Sequence, residues 1–329
     1  MKYAKFVKDK IQCEICPRRC KLKEGQRGFC YVRKNAGNKL ILETYNYNTG
    51  LAIDPVEKKP MYHFYPNSKA LSFGTLGCIM GCLFCQNSHI TKVQMPIKMC
   101  QKNTPNEIIK IAEEYNCKSI ALTYNDPVAF FEYGLDVAKL ARKEGIKIIA
   151  VTSGYINPEP LKEFFEYVDG ANIDLKGFSE EFYSKNCGAH LKPVLDTIKY
   201  VVNNTNCFVE LTTMIIEGEN DKNIGEECDW IVENLGVDVP LHFSAFSPKY
   251  KFSNRSQTKF STLLKAYDIA VKKGLNYVYT GNLSTIETST TYCKNCKKPL
   301  IVRNGYNIIE NNLLDGCCRY CSTKLEGRF

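Results

Sequence analysis

From about Ala70 to Thr280 the chain alternates two patterns. Short runs rich in apolar and β-branched residues give way to longer stretches whose apolar positions recur every three or four residues. The short runs read as strands: "ALSFGTLG", "KSIALTY", "IKIIAVT", "GANIDLK", "CFVELTTMII", "VPLHFSAF" and "LNYVYT". The stretches between them read as helices. "NEIIKIAEEYNC" puts Ile108, Ile109 and Ala112 on one side, and "PVAFFEYGLDVAKLARKEG" is opened by Pro127 and closed near Gly145. "PEPLKEFFEYV", "PVLDTIKYVVNN", "IGEECDWIVENL" and "TKFSTLLKAYDIAVKKG" continue the series.

Strands alternating with helices predict parallel βαβ units. About six units are too few for a closed eight-unit barrel. The expected fold is therefore α/β, a partial (β/α)6 TIM-like barrel over residues 69–282. Functional side chains in such folds gather at the C-terminal ends of the strands. The polar motifs here obey that rule: "GCIMGCLFC", "YNDP" and "TSGY" follow the first three strands, "DLKG" ends the fourth, and His242 lies in the sixth. Residues 1–68 and 283–329 carry their own cysteines and are expected to form N-terminal and C-terminal metal-binding subdomains flanking the barrel. The polar "GNLSTIETSTT" reads as a linker into the second of them.

Composition is that of an ordinary globular chain of 329 residues, long enough to bury a substantial core. The formal charge of +9 is spread without a basic block, so a solvated lysine-rich surface is expected rather than a nucleic-acid footprint. No apolar run is long enough to span a bilayer and the N-terminus has no apolar signal region, which predicts a cytoplasmic protein.

Cysteine changes the picture. The 17 cysteines are an odd number in a long chain, which argues against a secreted disulfide scaffold and for metal or redox chemistry. They sort into groups: Cys13, Cys16, Cys20 and Cys30; Cys78, Cys82 and Cys85; and Cys293, Cys296, Cys317, Cys318 and Cys321. The scattered Cys100, Cys117, Cys187, Cys207 and Cys228 read as small buried hydrophobes.

The middle group offers three thiols in the spacing C-x3-C-x2-C, where a [4Fe–4S] cluster takes one thiolate per iron. Three ligands leave one iron open to a small molecule, and open coordination marks a catalytic centre. S-adenosylmethionine chelates such an iron through its amino and carboxylate groups. The spacing, placed directly after the first strand and with Phe84 before the last cysteine, resembles the signature of the radical SAM superfamily. The competing reading is a half zinc site completed by His89.

The resemblance extends further. "CEICPRRCKLKEGQRGFC", "DPVEKKPMYHFYP", "GCIMGCLFCQN", "TYNDP", "FYSKNCGAHLKPVLDTIK", "PLHFSAFSPKY", "GLNYVYTGN" and the terminal "CRYC" together resemble the AmmeMemoRadiSam system radical SAM enzymes, relatives of pyruvate formate-lyase activating enzyme. The resemblance implies that Cys78, Cys82 and Cys85 ligate the cluster and that Phe84 sits near the adenine of S-adenosylmethionine. It implies that Tyr124, Asn125 and Asp126 hold the methionyl amino group, although relatives commonly carry Glu at the position of Asp126. Thr152, Ser153 and Gly154 resemble a "TNG" turn, with Ser replacing Asn. Asp174 and Lys176 resemble a catalytic "DLK" pair, Lys176 meeting a cofactor carboxylate and Asp174 a substrate or cation. His242 resembles a histidine near the adenine. The implied partners are S-adenosylmethionine, a flavodoxin or ferredoxin as electron donor, and a protein substrate or Memo-like and Ammecr-type proteins.

Several of these residues have a second reading from their surroundings alone. Asp126 before Pro127 is also a good helix N-cap. Asp174 and Lys176, two apart on a strand, are also a natural ion pair. His242 and His63 also fit a satisfied core histidine. Among the outer groups, Cys293, Cys296, Cys318 and Cys321 have ribbon-like zinc spacing, with Cys317 an alternative to Cys318 and iron an alternative to zinc. Cys13, Cys16, Cys20 and Cys30 leave zinc and an auxiliary cluster both open, zinc being favoured. The expected function is a radical SAM enzyme that makes a 5′-deoxyadenosyl radical and abstracts hydrogen. The alternatives are a glycyl-radical-enzyme activase and a zinc-bearing nucleic-acid-binding or RNA-modifying protein.

Overall fold

The structure, a computed structural model, describes residues 2–92 and 97–329. Its central sheet is built from β1 (Leu51–Pro55), β2 (Lys69–Phe73), β3 (Ser119–Leu122), β4 (Lys147–Thr152), β5 (Gly170–Asp174), β6 (Phe208–Ile215), β7 (Leu241–Ala245) and β8 (Val278–Gly281). The spatial order follows the chain order. From β2 to β8 every neighbouring pair is parallel. Among the described residues one helix of nine or more residues crosses between each successive pair: α1 (Pro105–Glu114), α2 (Phe131–Lys143), α3 (Pro158–Glu166), α4 (Leu191–Asn204), α5 (Ile224–Leu235) and α6 (Phe260–Lys272). Among the described residues β1 and β8 do not pair with each other, so the α/β sheet stays open as its six units predict.

Local chemistry explains the elements. Helix α1 starts at Thr104, whose side chain and Glu107 cap each other, with Pro105 at the first helical position; its Ile108, Ile109 and Ala112 are buried. The helix expected over 127–145 is in two parts: Asp126 caps a tight turn at Pro127–Phe130, and α2 follows. Along β6, Val209, Leu211 and Ile215 join the core shared with the helices, and Thr213 donates to Glu227 of α5 at 2.5 Å. Glu210 and Met214 occupy the alternating positions and serve the inner side.

The inner side is filled at its lower end by residues 56–65, between β1 and β2. Val56, Met61 and Phe64 pack on Ala70, Ala121 and Ile149. Gly170 opens β5 there because a Cβ would lie 2.8 Å from the Phe64 ring. Asn172 donates to the Pro60 carbonyl at 2.9 Å, and Glu210 accepts from the His63 backbone at 2.8 Å. This plug confines open space to the C-terminal ends of the strands.

The sequence pattern missed β1. It lies within residues 1–68 but adds antiparallel to β2 and extends the central sheet. Upstream, Ala4–Val7, Lys10–Cys13 and Lys21–Leu22 form a small antiparallel sheet, followed by a hairpin of Arg33–Ala36 and Lys39–Leu42. The expected polar linker after Thr280 is a correction: Ile286–Ser289 is a short helix capped by Thr285, and Thr288, Ser289, Thr290 and Thr291 are buried. Their hydroxyls are satisfied locally, Thr280 with Thr288 at 2.6 Å and Ser289 with the Thr285 carbonyl at 2.7 Å, which removes the cost of burying them. Among the described residues no helix is long and apolar enough to cross a membrane.

Candidate active site

Beyond Phe73 the chain leaves β2 and turns under strict backbone constraints. A Cβ on Gly74 would lie 2.2 Å from the Thr123 carbonyl oxygen. Gly77 has φ +77°, and its Cβ would lie 2.1 Å from the Cys30 carbonyl oxygen. Only glycine accepts both the conformation and the approach. Asn125, after β3, then fixes this turn. Its amide donates to Thr75 Oγ1 at 3.1 Å and to the Gly77 carbonyl at 2.8 Å, and its oxygen accepts from Thr75 N at 3.0 Å. The loop so held delivers Cys78, Cys82 and Cys85 to one cavity of about 330 Å³ at the C-terminal ends of the strands.

That cavity collects most of the residues singled out by sequence: the three cysteines, Phe84, Tyr124, Asn125, Asp126, Ser153, Asp174 and Lys176. Asp174 and Lys176 form an ion pair at 2.7 Å, so the ion-pair reading and the cavity position hold together. Burial opposes the charge on Lys176, but Asp174, with Cys82 adding, outweighs it and raises its pKa. Phe84 is buried and stacks with Phe182 at 5.8 Å, presenting an apolar wall.

Asp126 performs its capping role, accepting from Val128 N at 3.1 Å, and also ties β3 to β4 by accepting from Thr152 Oγ1 at 3.0 Å and Ser153 N at 2.9 Å. Burial raises its pKa, and the Ser153 hydroxyl, which also donates to it, pulls the other way together with those donors. Burial pushes the Cys78 thiol up to about 12, with Asp126 adding. Cys82 is lowered by its hydrogen bond with Cys187, while Lys176 and Lys92 help and burial opposes. Cys187, read from sequence as a core filler, is thus buried core and a neighbour of the cysteine triad.

Two expected residues are not brought to the cavity lining. Gly154 lies just beyond it at φ +67°, where a Cβ would press at 3.2 Å on Ile173 and Thr197. His242 sits two positions below Ser244, deep against the plug, bonded to Glu210 at 2.7 Å and edge-on to Tyr62. His63 is likewise enclosed, bonded to Tyr279 at 2.6 Å and the Glu326 carbonyl at 2.7 Å. Burial lowers its pKa to about 4, so it is neutral.

The cavity also uses residues that sequence reading passed over. Met214 and Ser244 are inward positions at the ends of β6 and β7, and strict alternation would have found them. Lys58 and Lys59 come from the plug and share the Asp54 carboxylate at 2.8 and 2.7 Å. Two ammonium groups on one carboxylate leave a positive excess at this wall. No periodic signal marks them.

At the far end of the chain, Cys293, Cys296, Cys318 and Cys321 place their sulfurs within 4.8 Å of one another. The Cys293–Cys321 and Cys296–Cys318 separations are 3.6 and 3.7 Å. Thiolates at about 2.3 Å around one tetrahedral ion stand about 3.8 Å apart, so the set fits a single metal ion. Cys317 is outside the group.

Comparison with known proteins adds the following. A profile described as the Radical SAM superfamily matches residues 73–231. A protein of Methanocaldococcus jannaschii described as uncharacterized is 40% identical over 331 residues, covering 99% of this chain and 98% of that one. The 4-hydroxyphenylacetate decarboxylase activating enzyme of Clostridium scatologenes is 26% identical over 181 residues, 52% of this chain and 55% of that enzyme. The crystal structure of SuiB of Streptococcus suis bound to S-adenosylmethionine aligns over 69% of this chain and 53% of that one, with TM-score 0.52 and 13% identity, a likeness of fold.

Proposed function

From the premise that this chain belongs to the radical SAM superfamily and is an enzyme of that type, we propose that Cys78, Cys82 and Cys85 hold a [4Fe–4S] cluster whose open iron takes S-adenosylmethionine. The observation that carries this reading is the convergence of Cys78, Cys82 and Cys85 on one cavity with the Asp174–Lys176 pair; among the described residues a fourth thiol, Cys187, bonds Cys82 from behind but does not line the cavity. The spacing of the sulfurs fits as well: among the described residues the C-terminal set is compact enough for one ion, and the triad is not. When bound, the cluster and S-adenosylmethionine supply a one-electron reductive cleavage that yields a 5′-deoxyadenosyl radical able to abstract hydrogen from a substrate.

The chain's own residues bind and orient. Lys176, kept charged by Asp174, faces the cavity and offers a donor to a carboxylate. Tyr124 and Ser153 close the side toward β3 and β4, and Phe84 with Met214 forms apolar walls for a purine or sugar. Asn125 acts one step back, holding the loop that carries the triad. The positive excess at Lys58 and Lys59 favours a substrate with an anionic group.

A second reading concerns the substrate. The partial match to an activating enzyme favours a protein substrate, so a glycyl radical enzyme or a Memo-like or Ammecr-type partner is the class to test. Electron paramagnetic resonance on a co-expressed partner would show a glycyl radical under this reading, and no radical in any partner tried would sink it.

The primary test is anaerobic. The protein is reconstituted with iron and sulfide, reduced with dithionite and given S-adenosylmethionine, and 5′-deoxyadenosine is followed by chromatography. Wild type is expected to form it and the Cys82→Ala variant to form none. Equal amounts from both proteins would overturn the assignment.

A further inference from the structure

Each sulfur of the triad meets one hydrogen-bond partner, and two of those partners are side chains. The Met80 N–H lies 3.4 Å from Cys78 Sγ. The Thr91 hydroxyl lies 3.1 Å from Cys85 Sγ. The Cys187 thiol is bonded to Cys82. Free thiols take either role in the last two pairs. Metal-bound thiolates only accept, so once Cys82 and Cys85 give up their protons the Thr91 hydroxyl and the Cys187 thiol must donate.

Backbone bonds hold both side chains in place. The Asn87 carbonyl accepts from Ile90 N at 3.1 Å and Thr91 N at 3.0 Å, and the Asn87 side chain donates to the Tyr124 carbonyl at 2.6 Å. Gly77 N donates to the Ile90 carbonyl at 3.0 Å, which closes the Ser88–Thr91 turn onto the start of the triad loop. Thr91 is buried and borders the same cavity as the three cysteines.

On the other side, Tyr183–Cys187 forms one wide turn, with Gly188 N reaching back five residues to the Tyr183 carbonyl and Gly188 itself at φ +55°. Wide turns of this kind are uncommon and gather at functional sites. Gly81 N donates to the Cys187 carbonyl at 2.8 Å and Leu83 N to the Asn186 carbonyl at 2.9 Å. These two bonds flank Cys82 and lay the fully buried Cys187 against it.

An iron–sulfur cluster gains a negative charge when it is reduced. Donors aimed at its ligand sulfurs stabilise that charge and raise the reduction potential. In a buried setting each such bond counts for more than it would in water.

We propose that Thr91 and Cys187 are positioning residues that act through Cys85 and Cys82 to raise the reduction potential of the triad cluster, and so set how readily it accepts the electron for S-adenosylmethionine cleavage. This rests on the reading that the triad holds that cluster.

The test is a redox titration of the reconstituted protein without S-adenosylmethionine, followed by paramagnetic resonance. The triad signal is the one that Cys82→Ala lacks. Thr91→Val keeps the shape and loses the donor. It is expected to load as much iron as wild type, with a ratio of reduced to oxidised cluster about tenfold lower at a given applied potential, a shift of about 59 mV to more negative values for one electron. Thr91→Ser is expected to restore the wild-type midpoint. Cys187→Ala is expected to shift the same way, and Cys187→Ser, whose hydroxyl donates, to restore it. A merely structural role would change iron content and leave the midpoint where it is. A wild-type midpoint in Thr91→Val or in Cys187→Ala, at full iron content, overturns the proposal for that residue and leaves the proposed function standing. A wild type without a triad signal overturns both. If Thr91→Val fails to load iron, Thr91→Ala, which only deletes atoms, takes its place.

Discussion

Glu227 shows how far one buried group can set the pH response of this protein. It is fully buried in α5, and among the described residues its side chain is bonded by the Thr213 hydroxyl alone, at 2.5 Å. Burial raises its pKa from 4.5 to about 8, with Thr213 pulling weakly the other way. The folded state therefore carries the neutral acid while the unfolded chain ionises from its ordinary value upward. Stability from this group is intact below pH 4.5 and is lost as pH rises through about 8. The slope between those values is about 1.4 kcal/mol per pH unit. Glu227→Gln keeps the shape and the acceptor but cannot ionise. Denaturant midpoints are expected to be higher for the variant than for wild type at pH 8 and nearly equal at pH 5; a variant weaker at both would refute the neutral-acid account.

At the scale of elements, the turn between β2 and the triad is where geometry is least negotiable. Gly77 combines a left-handed backbone with the 2.1 Å approach to Cys30. Gly145 has a similar φ of +72° but nothing within 4 Å of its Cβ position. Gly145→Ala is expected to cost only backbone strain, about 1–2 kcal/mol, with iron loading unchanged. Gly77→Ala must move the backbone as well, and at least a several-fold loss of iron at the triad is expected with circular dichroism preserved. Equal iron loading in the two variants would show that the turn does not position the ligands. The same scale explains which helices were legible. Helix α5 has the bounds read from its apolar period, Ile224–Leu235. The break before α2 was not visible, because the Asp126 cap that makes it is also drawn toward Thr152 and Ser153 on the next strand turn.

Across the whole molecule, the C-terminal antiparallel sheet of Thr291–Tyr292, Pro299–Asn304 and Asn307–Asn311 is anchored into the plug by Arg303. This side chain is fully buried, donates to the Tyr62 carbonyl at 2.6 Å and to Thr291 Oγ1 at 2.9 Å, and lies 4.2 Å over the Tyr62 ring. Glu57, 3.9 Å away, is the buried carboxylate it faces. Removing the cation strands that acid and the Tyr62 carbonyl, so Arg303→Ala is expected to cost about 3–5 kcal/mol in denaturant unfolding. The Glu57→Gln/Arg303→Ala pair is expected to cost less than the sum of its single changes; strict additivity would mean the two residues do not interact. This sheet is thereby a wall of the barrel's lower end as well as the carrier of four cysteines spaced to suit one metal ion.

The sequence alone determined the βα alternation, the open count of six units, and the three-thiol motif after the first strand, because each is written in local spacing. Periodicity records which face an element buries, and a cysteine pattern records how many thiols a loop offers. The tertiary structure decided what spacing does not encode. It set Cys318 rather than Cys317 beside Cys293, Cys296 and Cys321, enclosed His242 and His63 against Glu210, and brought Lys58 and Lys59 to the cavity wall. Those outcomes depend on contacts between segments tens to hundreds of residues apart, such as His63 with Tyr279 or Arg303 with Tyr62. Long-range packing selects among side chains that locally look equivalent, and no window of sequence holds both partners.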